Sequence, residues 1–383
     1  MLAFNNCRQQ AAAQSEHQAL QQALSWSYVS LAAQDLGDWD QAEDAIARSL
    51  VIIADHPDVP EFVQVKAQVF NVEGRLHLKR GQPEAAWETW SQAEAAYLQA
   101  DDSLGQVGAQ INQSQALQTM GLYRRARLQL ESAAEVLTGQ PDSAVKAIAL
   151  KSLGNVFQTA GSLAQSQQYL NQSLEIYRQL GSDAEVADTL FSLANTLRLM
   201  KDSDAATQHY QEAENLLPHS LLKTRAQLNR FSLLLETQQW STAENLLPEL
   251  VAHVQALPAS RQAVYSRVNL AESLLSHGDD NHQPIDWLSV EGVADLLRDG
   301  VNQAEMLSDD RARAFSLGEL SKLYGYTQLW SESQVLARRA LSFSQGDNAQ
   351  DMAYRWQQQL GKAYQQQGKD EDAIASYTSA IET

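Results

Sequence analysis

The sequence predicts an all-α chain built as a stack of nine helix–turn–helix repeats, and three observations carry that prediction. Leu, Ala, Gln, Ser and Glu dominate the 383 residues, Pro is held to 8, and no run alternates apolar and polar residues as a strand does. One phrase keeps returning: "SLGNVFQTAGSLAQSQQYLNQSLEIY" at 152–177 shares its skeleton with "WQQQLGKAYQQQGKDEDAIASYTSAIE" at 356–382 and with stretches at 70–97 and 189–217. The copies also keep phase. Turn positions at Gly37, Gly81, Gly121, Gly161, Lys201, Gln238, Gly278, Gln328 and Gly368 are mostly 40 residues apart.

Taken in order, an N-terminal extension covers 1–14 and the array covers 15–383. The copies are expected at 15–55, 60–100, 103–139, 142–181, 183–218, 220–257, 259–307, 309–346 and 348–383. The fourth and fifth fit the shared pattern best. The sixth puts Phe231 and Leu250 where small residues belong, which allows its register to slip by one. The seventh carries an insertion at 276–292, and its second helix departs from the pattern.

The columns explain the repetition. Seven residues before each turn stand Ser30, Gly74, Ser114, Gly154, Ala194, Ala271, Ser321 and Gly361. Small residues also occupy the fifth position after it (Ala86, Ala126, Ser166) and the twelfth (Ser49, Ala93, Ser173). Two helices joined by a short turn cross closely, and a large side chain at the crossing would hold them apart. Nine after the turn the residues are large: Trp90, Leu130, Leu170, Tyr210 and Tyr377 among them. Large against small is the interdigitation that a helical core needs. Aromatic residues two after the turn, Trp39, Tyr123, Trp240 and Trp330, are expected to lie over it.

Small, Gly, aromatic, Ala and Ala at these offsets resemble the tetratricopeptide repeat, over nearly the whole chain. The resemblance implies the α-α superhelix class, a right-handed solenoid. The wording "INQSQALQTMGLYRRARLQLESA" at 111–133 is similar to the repeat arrays of bacterial, cyanobacterial-type proteins that carry a C-terminal caspase-like CHAT peptidase domain. That domain uses a His–Cys pair on an α/β fold, and no such region is present in this sequence; Cys7 precedes the first repeat.

Composition narrows the functions. Against 47 Asp and Glu there are 28 Lys and Arg, a net charge of −19, which repels nucleic acid and anionic membranes in bulk. There is one cysteine, so neither a disulfide framework nor a CxxC metal signature. No signal-peptide pattern or membrane-length apolar run is present, and a cytoplasmic location is expected.

No HExxH, P-loop, GxGxxG or GxSxG motif occurs, so neither an enzyme nor a cofactor is expected. "HGDDNH" at 277–282 offers metal-ligand types, but a polar loop extending a turn explains it more simply. The remaining histidines have no ligand spacing, and the Trp residues sit largely in repeat columns, as core residues would.

On the first helix of each copy, offsets −13, −10, −6, −3 and −2 from the turn gather on a face about 140° from the core side. The family resemblance implies that this face lines a concave groove holding an extended peptide or helix. It carries Arg75, Gln115, Asn155 and Asn195 at −6, Lys151 at −10, Gln158 and Arg198 at −3, and Arg225 followed by Asn229 one helical turn on. Amides can pair with both the N–H and C=O groups of a peptide, and cations suit carboxylates. Lys151 and Asn155 match positions that hold a terminal carboxylate in some family members, but Ser192 stands where that pattern wants Asn.

The expected function is therefore a non-catalytic scaffold or adaptor for a protein or peptide segment, one with acidic residues favoured. Two alternatives stand beside it. One is a regulatory region of a caspase-like peptidase. The other is self-association through the C-terminal end, where Ile374, Tyr377 and Ile381 would face a missing neighbour.

Overall fold

A computed structural model describes residues 2–36, 38–56, 61–276, 287, 289–344 and 350–382. The described residues form eighteen α-helices and no strand. The turn positions Gly37 and Gly278 and the stretch "HGDDNH" lie outside the described residues. The chain divides into two compact units, Met1–Met200 and Lys201–Thr383, with the boundary at the turn of the fifth copy.

The first unit holds α1 (Leu2–Leu36), α2 (Trp39–Ala54), α3 (Glu61–Lys79), α4 (Pro83–Gln99), α5 (Ser103–Thr119), α6 (Tyr123–Thr138), α7 (Ala144–Thr159), α8 (Leu163–Leu180) and α9 (Asp183–Leu199). Helix α1 runs back through the expected N-terminal extension to Leu2. The second unit holds α10 (Ser203–Leu216), α11 (Leu221–Glu236), α12 (Trp240–Ala256), α13 (Arg261–Ser276), α14 (Val290–Met306), α15 (Asp310–Tyr326), α16 (Trp330–Phe343), α17 (Gln350–Gln366) and α18 (Asp370–Glu382).

The turns repeat one conformation. Gly81, Gly121, Gly161 and Gly368 are left-handed, with φ between 70° and 77°. Lys201, Gln238 and Gln328 hold the same conformation without being glycine, at φ 66°, 58° and 61°. Each turn in which the bond is described closes as a Schellman motif: the N–H after the turn residue donates to a carbonyl five positions back, as from Ser162 to Phe157 (2.9 Å) and from Gln239 to Leu234 (2.8 Å). The bond from Gln239 keeps the sixth turn at Gln238, so the register does not slip. Phe231 and Leu250 are accommodated whole in the core instead.

The small columns lie at the helix crossings. A Cβ added to Gly74 would sit 2.5 Å from Trp90 Nε1, and one on Gly154 or Gly361 would sit 2.7 Å from Leu170 or Tyr377. These are the −7 and +9 columns in direct contact. The serines of the small columns do more than save space. Ser49 Oγ donates to the Ala23 carbonyl (2.7 Å) and Ser173 Oγ to the Ala147 carbonyl (2.8 Å), which ties α2 to α1 and α8 to α7. The aromatics two after the turn divide: Tyr123 and Trp240 are exposed, against expectation, whereas Trp39 and Trp330 are half-buried, with the Trp330 ring beside Gly325 just before its turn.

Within each unit, a first helix packs against both the second and the first helix of the copy before it. In the first unit α1, α3, α5, α7 and α9 touch in series, and in the second α11, α13, α15 and α17 do; no two second helices of either unit touch to a comparable degree. The more closely spaced row of helices must lie on the inside of a curved stack, so the first helices form the inner face of each unit.

Two substitutions separate packing from propensity. Gly108 lies in α5 with nothing within 4 Å of a Cβ, and Gly108→Ala should stabilise by about 0.5–1 kcal/mol. Gly74→Val should cost about 1–3 kcal/mol by overpacking against Trp90. Urea unfolding of the two variants beside the wild type checks both signs.

Candidate functional site

The inner face is built by elements whose core side is fixed by the crossings just described, so its side chains are the ones left over. In the first unit Arg75 and Gln115 line a hollow of about 400 Å³ with Asn71, Leu78 and Asn112. Asn112 Nδ2 donates to Asn71 Oδ1 (3.0 Å), and Asn71 Nδ2 reaches the Tyr97 hydroxyl (3.4 Å). Burial pushes that hydroxyl up to about 12, so it stays protonated.

The expected cations are largely neutralised. Arg75 donates to Asp35 (2.6 Å), which also receives Lys79 (2.8 Å), and this pairing lowers the Asp35 carboxyl below its ordinary value, with the Lys79 hydrogen bond the largest cause. Lys151 pairs with Asp188 of the next first helix. Gln158 Nε2 donates to Thr196 Oγ1 (2.8 Å) and the Ser192 carbonyl (3.4 Å), tying α7 to α9 rather than facing a ligand.

Asn155 and Gln115 differ: both are half-buried, and neither side-chain amide hydrogen-bonds among the described residues. Asn195 and Arg198 are half-buried on the same helix row and are engaged with other groups.

The remaining expected residues belong to the second unit. Arg225 is exposed, and Asn229 Nδ2 reaches the Tyr210 hydroxyl (3.4 Å). Arg230, which could have completed a carboxylate-binding set, is committed to Glu214 through two bonds of 2.8 and 2.6 Å. Both side chains are nearly buried, and burial raises the Glu214 carboxyl against the pull of Arg230.

The second unit also holds an inner-face cluster that the sequence reading did not reach. Lys322 on α15 and Arg355 and Lys362 on α17 line a hollow of about 430 Å³ with Tyr354, Gln358 and Tyr377. Glu319, wholly buried on α15, accepts from Lys322 at 2.6 Å through one oxygen, while its second oxygen is buried without a partner. Glu272 on α13 accepts from Arg355 at 3.2 Å and lies 3.9 Å from Lys322. The signal was available: offsets −6 and −13 from Gln328 and Gly368 give Lys322, Lys362, Phe315 and Arg355. The burial of Glu319 has no such signature, since its counterparts nine before other turns, Asn112, Asn229 and Gln359 among them, are only half-buried.

Among the described residues, no group of three or more His, Cys, Asp or Glu could hold a metal, and no helix is long and apolar enough to cross a membrane. His219 and His253 stand 4.5 Å apart between ring centroids, a proximity that their spacing does not reveal.

The comparisons with known proteins bear on the fold. Residues 145–218 match one tetratricopeptide-repeat family model, and residues 358–383 match another. The apo form of the quorum sensor NprR from B. thuringiensis superposes with a TM-score of 0.57 at 11% identity, covering 94% of this chain and 97% of that one. A signal-transduction ATPase with numerous domains from Pyrococcus horikoshii, which carries a tetratricopeptide-repeat sensor, gives 0.54 at 12% identity, over 88% of this chain and 52% of that one. No curated protein matches by sequence. The fold is a helical-repeat solenoid of the α-α superhelix class, with tetratricopeptide repeats matched in the two stretches named.

Burial is the main cause holding the Glu319 carboxyl above its usual 4.5, with Lys322 opposing it. A raised carboxyl favours the folded state while protonated, so its stabilising contribution is complete below about 4.5 and is lost as pH rises through the raised value. Glu319→Gln removes that loss. The Tm of the variant minus that of the wild type should increase from pH about 4 to about 8, measured by circular dichroism.

Proposed function

We propose that this chain is a non-catalytic scaffold that binds a peptide or protein segment along the inner face of its first helices. One observation carries the reading. Gln115 and Asn155 hold half-buried amides on that face with no hydrogen bond among the described residues, while the neighbouring cations and Gln158 are tied into the stack. A free amide there can accept from a backbone N–H and donate to a backbone C=O, which suits an extended segment. Asn195, Arg198, Arg225 and Asn229 belong to the same set of first-helix positions and extend the reading to both units. The two structural relatives are described as a quorum sensor and as a protein with a repeat sensor, roles that fit recognition of a segment by a repeat surface.

The test is capture from native lysate by wild type and by the Gln115→Ala, Asn155→Ala double variant, followed by titration of any retained protein. Loss of the amide pairs should weaken binding about tenfold, with an unchanged thermal melt because neither amide serves the fold. Identical affinity of the two proteins would remove the assignment.

A further inference from the structure

The ion pair between Arg355 and Glu272 joins helices two copies apart. It crosses the inner side of α15, so the Glu272 carboxylate lies over the very face that carries Lys322. Both partners are about one-third exposed, and one hydrogen bond of 3.2 Å joins them. By contrast, Arg311 and Asp351 on the adjacent pair α15 and α17 form two bonds, of 2.5 and 2.8 Å. The crossing pair is thus the weaker link in its surroundings.

Around it the cations are unevenly served. Lys322 has Glu319, which is buried and supplies one oxygen. Lys362 is exposed and forms no ion pair among the described residues; its ammonium stands 5.9 Å from the centre of the Tyr326 ring. Arg355 and Lys322 also lie over Phe315 and Trp356, which hold the cations in place on apolar surface. In a chain of net charge −19, three cations converging on one hollow are a local reversal of sign.

We propose that this hollow binds a carboxylate of an acidic peptide segment through Arg355, Lys322 and Lys362, and that Glu272 closes it by occupying Arg355 in the ligand's place. The inference rests on the reading of the inner face as the binding face and adds a ligand chemistry and an internal competitor in the second unit. The incoming carboxylate exchanges one ion pair for another at Arg355 and gains Lys362, which has no such partner to give up. No covalent chemistry is involved.

Two probes distinguish the source of the carboxylate: an acetylated, amidated hexaglutamate, which offers side-chain carboxylates, and an acetylated hexa-alanine with a free C-terminus. Affinities are read by calorimetry for the full chain. Glu272→Gln should tighten binding of at least one probe about threefold or more, the range an ion pair one-third exposed can supply. Lys362→Gln should weaken it, and Glu332→Gln, a charge-matched change on α16, should leave it within error. The gain from Glu272→Gln should vanish when Arg355 is already Gln, since the two act through one contact.

A gain that persists without Arg355, an effect of Glu332→Gln equal to that of Glu272→Gln, or no binding of either probe to wild type and Glu272→Gln overturns the proposal. Because Lys362 is exposed, its variant tests the site even where Arg355→Gln fails to fold. Failure here with partner loss in the Gln115, Asn155 variant leaves the scaffold reading intact; unchanged partner binding there removes that reading separately.

Discussion

Everything in this chain depends on the close crossing of two helices within each copy. The crossing demands a residue with little or no side chain on one helix and a large side chain on the other. Gly74 under Trp90, Gly154 under Leu170 and Gly361 under Tyr377 meet that demand in copies far apart in sequence. Once the crossing is set, the orientation of both helices about their axes is set too. The positions facing the core, the neighbour and the solvent then follow by helical periodicity. The left-handed turn residue is the second requirement. Three copies meet it with Lys201, Gln238 or Gln328, at a conformational cost of about 1–2 kcal/mol each relative to a right-handed residue.

The crossing also decides what the inner face can be. Because the first helices of successive copies touch and the second helices do not, polar groups on the inner row meet polar groups of the next copy, one repeat further along the chain. Arg75 finds Asp35 and Lys151 finds Asp188 in this way, and Gln158 finds Thr196. A residue on such a row serves the stack or a ligand according to what the adjacent copy offers. Asn155 and Gln115 are offered nothing by their neighbours, and their amides remain for an incoming segment.

The two units use the same row differently. In the first, cations are paired one copy apart and the amides are left over. In the second, a buried carboxylate at Glu319, a bridge from Glu272 to Arg355 across an intervening helix, and an exposed Lys362 give a hollow with spare positive charge. Burying Glu319 with one oxygen unpartnered costs stability. Lys322, bonded to that carboxylate, is held close to the helix surface.

The sequence by itself determined the helical class, the hairpin repeat, the seven turn positions among the described residues and most of the small and large columns, because each follows from contacts inside one copy at fixed spacing. Gly161 at a left-handed turn and Ala206 wholly buried five residues after Lys201 were both legible that way. Only the tertiary structure decided which inner-face groups are occupied, because partners such as Ser192 for Gln158 and Glu272 for Arg355 lie 34 and 83 residues away, on other helices. The same holds for Tyr123, expected over its turn and found exposed, and for Phe231, whose bulk the core absorbs without a change of register. Periodicity specifies which side of a helix a residue takes, whereas its partner depends on how copies are stacked, and that is a property of the assembled chain.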